Sequence, residues 1–113
     1  MIVRVFAYVR PHKLEEVKTA VSNVGVSGLT VTDCRGSGSS PERPALLAGQ
    51  EVLVALPVRS KLEVVVPAEL QEEVVQAILA SARTGEPGDG KVFVEPIADV
   101  LRIRTGERGQ DAV

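Results

Sequence analysis

The sequence predicts an α+β fold in which two helices cover one face of a four-stranded antiparallel sheet. The prediction rests on the order of short elements, which alternate as strand, helix, strand, strand, helix, strand. It also rests on the spacing of apolar residues, because residues on one face of a strand recur every two positions and those on one face of a helix every three or four. This order is the split β-α-β, or ferredoxin-like, pattern. At 113 residues the chain is long enough for one domain with a real core and too short for two.

Four short segments with alternating, often β-branched side chains predict the strands. One face of the first segment carries valines and an alanine, and one face of the third carries a leucine and two valines. The predicted strands cover residues 2–9, 29–34, 59–66 and 91–97. The apolar faces are Val3, Val5, Ala7 and Val9 in the first strand and Leu62, Val64 and Val66 in the third.

Two amphipathic stripes predict the helices. After Pro11, apolar residues recur at spacings of three, four and three and stop before Gly25, a natural helix end. After Pro67 a second stripe begins, with Glu69 as an acid in its first turn. The stripes are Leu14, Val17, Val21 and Val24 in the first helix and Leu70, Val74, Ala77, Ile78 and Ala82 in the second.

Composition and charge exclude several classes of function. The chain is 44% hydrophobic and 25% charged, as soluble globular proteins are. A net charge of −2 and an aromatic content of 3% argue against a nucleic-acid binder. Cys34 is the single cysteine, so an internal disulfide and a cysteine-rich metal site are excluded. The chain lacks a membrane-spanning run and a signal-peptide pattern, so we expect a cytoplasmic protein.

Few residues could support catalysis. The single histidine, His12, lies at a helix start, where a solvated or capping role is the better interpretation. Cys34 ends an apolar strand and has no second histidine to serve as its base. No cluster has metal-ligand spacing. We therefore expect neither an enzyme nor a metal site.

The stretch "RTGEPGDGKVFV", residues 83–94, is the first candidate binding element. Three glycines and a proline fall within six residues, and Lys91 follows at once. Glycines permit positive φ angles, so consecutive N–H groups can point into one anion-binding concavity. Val92 stands where a Walker A loop needs a hydroxyl, so that motif is not met. On its own the stretch fits a plain turn as well as a phosphate cradle.

Two further features point to the same chemistry. Arg102 and Arg104 are expected to project from one side of an extended segment, and guanidinium groups suit phosphate geometry. The segment "GSGSS", residues 36–40, is another glycine-rich stretch at a strand end. Together, the three features favour a nucleotide or a phosphorylated ligand.

Two regions outside the helices also predict function. From Gly36 to Leu56 the sequence predicts a loop of about twenty residues, a length that is unusual in a small domain and commonly functional. Its later part, "ALLAGQEVLVALP", is apolar enough to pair as strand. The sheet face without helices needs cover as well, and oligomerisation would supply it.

This combination resembles the PII nitrogen-regulatory signal-transduction family over nearly the whole chain. "VRPHKLEEVKTAVSNVGVSGLTVTDCRGSG" is similar to that family's first strand, helix and second strand. "TGEPGDGKVFV" resembles its phosphate-binding B-loop, here residues 83–91, and "VLRIRTGERGQDAV" its C-terminal segment, residues 102–113. The mobile T-loop would be about residues 37–56. The resemblance implies one PII-like domain, residues 1–113, forming a homotrimer that binds ATP, ADP or AMP between subunits.

The resemblance also implies which individual residues surround the nucleotide. The implied phosphate contacts are Gly88, Asp89, Gly90 and Lys91, with Arg102 and Arg104 from the neighbouring subunit. The implied adenine and ribose contacts are Thr30, Glu63 and Val65, and the cleft edge at the T-loop base is Gly36, Ser37 and Gly38. Whether Mg²⁺ accompanies the nucleotide stays open.

The T-loop tip departs from the family pattern. Where the family has Tyr-Arg-Gly-Ala-Glu-Tyr, residues 47–52 read Leu-Ala-Gly-Gln-Glu-Val. Val52 has no hydroxyl, so uridylylation there is chemically impossible. Gln50 stands where some members of the family have a phosphorylatable serine, and Ala48 replaces the arginine that regulators of ammonium transporters insert into the channel mouth.

The effector site departs too. Ser40 stands where the family has the glutamine that helps hold Mg²⁺ and 2-oxoglutarate, and Arg59 stands where a lysine pairs with the 2-oxoglutarate carboxylate. Arg59 can still hold an anion, but Ser40 is too short to act as the glutamine does. The leading hypothesis is therefore a divergent PII-like regulator that binds an adenine nucleotide and responds to a small anion, such as bicarbonate in carbon metabolism.

The protein target of this regulator is unknown, and peripheral contact with a membrane transporter is one option. Two alternatives stay open at this point. The first is a conventional 2-oxoglutarate-sensing nitrogen regulator of an ammonium transporter or of glutamine synthetase. The second is a small trimeric enzyme that slowly hydrolyses ATP, for which no base is evident in the sequence.

Overall fold

The computed structural model describes residues 1–36, 44–47, 50–53 and 56–113. The strands and helices within these residues are β1 (Ile2–Val9), α1 (Leu14–Asn23), β2 (Thr30–Arg35), β3 (Pro44–Leu47), β4 (Gln50–Leu53), β5 (Val58–Pro67), α2 (Gln71–Ala82) and β6 (Val92–Ile97). Single 3-10 turns at Pro11–Lys13 and Ala68–Leu70 lead into the two helices, and a third, Gly109–Ala112, lies near the chain end.

The main sheet has the strand order β2-β5-β1-β6, and every neighbouring pair is antiparallel. The first strand is central, because Val5 pairs with Val64 of β5 on one side and with Val94 of β6 on the other. Both helices pack on one face of this sheet through a shared core. The predicted α+β, ferredoxin-like architecture is confirmed.

The core follows the two periods in the sequence. The predicted apolar faces of β1 and β5 are both buried, and Val5 and Leu62 are fully shielded from water. From the helices, Val17 and Val21 of α1 and Val74, Ile78 and Ala82 of α2 complete the cluster. Burying a valine or leucine side chain in this way stabilises the fold by about 1.5–3 kcal/mol.

The strand boundaries lie within one residue of the predictions. The region predicted as a long loop also contains a two-stranded hairpin, in which Pro44 pairs with Leu53 and Leu47 with Gln50. Strand pairing in this apolar part is thus as predicted. Among the predicted site and T-loop residues, Ser37, Gly38, Ser40 and Ala48 lie outside the described residues.

The sheet face opposite the helices combines aromatic and charged side chains. The rings of Phe6 and Phe93 stack with their centroids 4.9 Å apart, and Phe93 is 40% exposed. Arg4 pairs with Glu63 at 3.0 Å and also reaches Glu95. This open face therefore presents an apolar patch flanked by ion-paired side chains. In the part of the chain that the structure describes, no helix is long and apolar enough to cross a membrane.

The strand directions divide the predicted site between the two ends of the sheet. At one end, which we call the loop end, β1 and β2 finish where β5 and β6 begin: Val9 pairs with Ser60, and Arg35 with Val58. From there β6 runs to the opposite end, where Ile97 pairs with Ile2. The segment that follows β6 therefore starts at the end of the sheet away from the loop.

Candidate functional site

The glycine-rich loop, residues 83–91, connects α2 to β6 and lies against the end of β1. The N–H of Tyr8 donates to the carbonyl of Lys91 at 3.3 Å. A Cβ atom on Gly90 would lie 1.7 Å from the Tyr8 carbonyl oxygen, and Gly90 has a φ of +95°. A positive φ is unfavourable for a residue with a Cβ atom, and the contact with backbone leaves no room for one, so this position requires glycine.

The carboxylate of Asp89 organises the first half of the loop. Its Oδ2 accepts from the N–H groups of Thr84 and Gly85 at 2.8 and 2.9 Å. Its Oδ1 accepts from the Thr84 hydroxyl at 2.5 Å, and that hydroxyl oxygen accepts from the Glu86 N–H at 3.1 Å. Three consecutive backbone N–H groups are thus satisfied by side chains within the loop.

Arg10, at the end of β1, holds the same loop from outside. Its Nε donates to Asp89 Oδ1 at 3.1 Å, and its Nη2 donates to the Pro87 carbonyl at 2.7 Å. The side chain is only 18% exposed. Sequence reasoning missed this residue, because its partners lie 77 and 79 positions further along the chain.

The second half of the loop carries backbone N–H groups that could donate to a ligand. Within the described part of the chain, no hydrogen bond uses the N–H groups of Gly88, Asp89, Gly90 or Lys91. The Lys91 side chain is exposed beside them. Consecutive N–H groups next to a cation form an anion-binding concavity.

The cleft beneath the loop is small. It has a volume of about 160 Å³ and lies between Tyr8, Ala82 and Gly90. Ligand pockets in proteins usually measure about 300–1,000 Å³. The cleft of the single chain is therefore too small to enclose a ligand as large as a nucleotide.

The arginine segment folds as a turn, and the expected extended conformation is wrong. The Arg102 N–H donates to the Glu107 carbonyl at 2.9 Å, and the Gly106 N–H donates to the Arg102 carbonyl at 2.7 Å. Gly106 has a φ of +75°, which lets the chain reverse within a few residues. Arg102 also contacts the Glu107 carboxylate at 3.4 Å, and the Thr105 hydroxyl donates to the same oxygen at 2.8 Å.

The structure places Gly36, Arg59 and Lys91 at the loop end of the sheet. Gly36 follows β2, and its N–H donates to the Pro57 carbonyl at 3.1 Å. Because β2 and β6 are the outer strands, Gly36 and Lys91 are separated by three strand spacings, about 14 Å. A ligand that touched both would have to extend across the ends of β5 and β1.

The remaining predicted residues lie apart from the loop. Thr30 pairs with Glu63 across β2 and β5, and Val65 pairs with Arg4 on β1. Within the described residues, no hydrogen bond or ion pair joins Arg102 or Arg104 to residues 83–91. The two sets of phosphate candidates therefore lie apart within one chain.

Comparisons with known proteins assign this chain to a class of regulatory proteins. The family described as "Nitrogen regulatory protein P-II" matches residues 2–107. Nitrogen regulatory protein P-II of Haemophilus influenzae is 42% identical over 110 residues, with 97% of this chain and 98% of that protein covered. Nitrogen regulatory protein GlnK2 of Haloferax mediterranei is 45% identical over 109 residues, with 96% and 89% covered.

A solved structure supports the same assignment. The structure of B. subtilis GlnK matches with a TM-score of 0.80 at 31% identity, covering 99% of this chain and 98% of that one. The chain belongs to the P-II family of nitrogen regulatory proteins. Members of this family are regulatory signal transducers, so the prediction that the chain is not an enzyme is confirmed.

The close approach of Gly90 to β1 gives a first testable prediction. Gly90→Ala should destabilise the fold more than Gly85→Ala, measured as the free energy of unfolding in urea. Both glycines have positive φ, which costs an alanine about 1–2 kcal/mol, but only at Gly90 would the new Cβ also meet backbone. Equal losses of stability in the two variants would contradict the packing of Gly90 against Tyr8.

A second prediction concerns acid titration of the loop. The hydrogen bonds from Thr84, with that from Arg10, hold the pKa of Asp89 far below its ordinary value of 3.8. Since the folded pKa is the lower one, the ionised carboxylate stabilises the fold fully above about pH 4. This contribution is lost as the pH falls through the folded pKa.

Carboxyl carbon NMR shifts of Asp89 should show this depressed pKa directly. Thr84→Val removes a donor to the carboxylate and should raise the pKa. Thr105→Val, which removes a hydroxyl donor to Glu107 instead, serves as the matched control and should leave Asp89 unchanged. An Asp89 that titrated near 3.8 in the unsubstituted protein would refute the hydrogen-bond arrangement.

Proposed function

We propose that the chain is an adenine-nucleotide-binding regulatory protein that controls a partner through its T-loop, about residues 37–56. The observation that supports it best is the loop at residues 83–91, which offers four consecutive backbone N–H groups and the Lys91 ammonium. Backbone donors that are fixed in place before the ligand arrives bind phosphate with little loss of entropy. ATP, ADP and AMP are the proposed ligands.

In this proposal Gly88, Asp89 and Gly90 contact the phosphates through backbone N–H groups. Lys91 adds its N–H and its side-chain charge. The Asp89 carboxylate takes no part in the contact, because it faces Thr84 and Gly85 and would repel a phosphate. Asp89 therefore serves the site as a backbone donor and as the organiser of the loop.

The proposed cleft forms between copies of the chain in a homotrimer. Arg102 and Arg104 leave the sheet at the end away from the loop, so one copy supplies the loop and its neighbour the arginines. Ile103, between them, is fully exposed in the single chain, and Phe93 lies half-exposed on the open sheet face. Exposed apolar groups of this kind mark surfaces that an assembly buries.

The adenine and ribose are assigned to the sheet at β2 and β5, away from the loop end. Thr30, Glu63 and Val65 would meet them, and Gly36, Ser37 and Gly38 would line the edge of the cleft. Thr30 and Glu63 are direct neighbours across two strands, which suits contact with one ligand.

A small anion such as bicarbonate is the proposed effector. Arg59 lies at the loop end of the sheet, where its guanidinium donates to the Val58 carbonyl at 3.0 Å and keeps further donors for an anion. Ser40 replaces the glutamine that would hold Mg²⁺ and 2-oxoglutarate in the family pattern. The T-loop would then act on a protein target, with a membrane transporter as one option.

A conventional nitrogen regulator is the second candidate. The names of the relatives, "Nitrogen regulatory protein P-II" and "GlnK2", favour it. Such a protein would sense 2-oxoglutarate and act on an ammonium transporter or on the control of glutamine synthetase. Val52 and Ala48 argue against it, since they lack the hydroxyl and the guanidinium that those interactions use.

The nucleotide cleft is tested by substituting the arginines. Arg102→Ala and Arg104→Ala should each weaken ATP and ADP binding about tenfold to a hundredfold in isothermal titration, since each removes a hydrogen bond to a charged group worth about 1.5–3 kcal/mol. Lys18→Ala, which removes an exposed cation on α1, is the control and should bind normally. Unchanged nucleotide affinity in the double arginine variant would refute the assignment of Arg102 and Arg104 to the cleft.

The effector is tested by titrating ATP, ADP and AMP with bicarbonate or 2-oxoglutarate, each with and without Mg²⁺. Bicarbonate should change the nucleotide affinity, and Arg59→Met should abolish that change because it removes the anion's partner. 2-Oxoglutarate should have no effect. Tight binding of 2-oxoglutarate with Mg-ATP would instead establish the conventional nitrogen regulator.

A further inference from the structure

We infer that Arg10 is a positioning residue of the phosphate loop, acting through Asp89 and the Pro87 carbonyl without contacting the ligand. The inference rests on the proposed function only where nucleotide binding is used to report the shape of the loop. Its structural basis is independent of any ligand, because both contacts of Arg10 lie within the chain.

The backbone of Arg10 gives its side chain a fixed starting point. Arg10 lies between the last residue of β1, Val9, and the 3-10 turn that begins at Pro11. A following proline restricts a residue to extended backbone, and Arg10 accordingly has φ −63° and ψ 136°. Its carbonyl also accepts from the Lys13 N–H at 2.9 Å. The guanidinium is therefore presented to the loop from a rigid junction.

The guanidinium joins two parts of the loop, the Pro87 carbonyl and the Asp89 carboxylate. Nη2 holds the Pro87 carbonyl at 2.7 Å, and Nε holds Asp89 Oδ1 at 3.1 Å. The two side chains are 18% and 24% exposed, so water screens the pair less than it screens a surface ion pair. The planar fork of an arginine suits two such directions at once, whereas a lysine ammonium offers a single point charge.

The consequence reaches the unused N–H groups. Asp89 accepts from four donors, namely the Thr84 N–H and hydroxyl, the Gly85 N–H and Arg10 Nε. Arg10 adds the one contact that reaches Pro87, immediately before Gly88. It thereby fixes where the donor half of the loop begins, and this preorganisation favours binding of a phosphate.

Positioning and direct phosphate contact make opposite predictions for Asp89→Asn. If Arg10 touched the phosphate, removing the neighbouring negative charge would strengthen binding, because the carboxylate repels the ligand. If Arg10 acts through Asp89, the same substitution weakens binding. An asparagine has one oxygen in place of two, and its amide cannot accept from the other donors.

The experiment combines a ligand measurement with one that needs no ligand. Affinities for ADP and adenosine are measured by titration for the unsubstituted protein, Arg10→Met, Arg10→Lys, Asp89→Asn and the double variant Arg10→Met/Asp89→Asn. Amide hydrogen exchange of Thr84, Gly85 and Glu86 is followed by NMR without ligand. Lys18→Met is the control, since it also removes one positive charge from the chain.

Arg10→Met should lower ADP affinity about tenfold, within the range of coupling between residues of one network, and leave adenosine affinity unchanged. Arg10→Lys should recover part of the loss, and Asp89→Asn should weaken ADP binding. The double variant should lose less than the sum of the single losses. Loop amides should exchange faster in Arg10→Met, and Lys18→Met should match the unsubstituted protein.

Tighter ADP binding by Asp89→Asn would overturn the inference, as would unchanged ADP affinity and exchange in Arg10→Met. Equal losses for ADP and adenosine would reduce Arg10 to a general structural residue and also overturn it. If the unsubstituted protein bound no ADP, the proposed function would fail, and amide exchange alone would decide the role of Arg10. Arg10→Lys keeps the positive charge and an aliphatic side chain of similar length. If Arg10→Met does not fold, the ADP and adenosine affinities of Arg10→Lys decide instead.

Discussion

The pairing of β1 with strands on both sides is the constraint on which the rest of the structure depends. It buries Val5 completely and fixes the end of β1, where Tyr8, Val9 and Arg10 follow one another. The Tyr8 carbonyl then sets how closely Gly90 must approach, and Arg10 sets the position of Pro87 and Asp89. This buried strand thus supports the exposed loop at residues 83–91.

Sequence periodicity predicts this scaffold well for a physical reason. Buried side chains recur at every second residue of β1 and at every third or fourth residue of α1, so the pattern is visible among residues that are close in the sequence. The turn at Arg102 could not be read in the same way, because Gly106 permits it and Glu107 closes it. The contact between Arg10 and Asp89 was equally hidden, since only the folded sheet brings residues 79 positions apart into contact.

Asp89 shows the difference between a motif and its geometry. The resemblance groups it with Gly88 and Gly90 as a phosphate contact, and its place in the loop agrees. The structure turns its carboxylate inward, where Thr84 and Gly85 donate to it. An acidic side chain is therefore compatible with the proposed binding of an anion, because Thr84, Gly85 and Arg10 already donate to its carboxylate and turn it away from the second half of the loop.

The direction of β6 has a genetic consequence. This strand separates the loop from the arginines within each chain, so in the proposed homotrimer every chain serves two clefts, one with its loop and the other with its arginines. A chain defective in the loop still lends intact arginines, and a chain defective in the arginines still lends an intact loop. When two such chains assemble together, one complete cleft reappears, so the two defects complement each other although each variant alone forms no complete cleft.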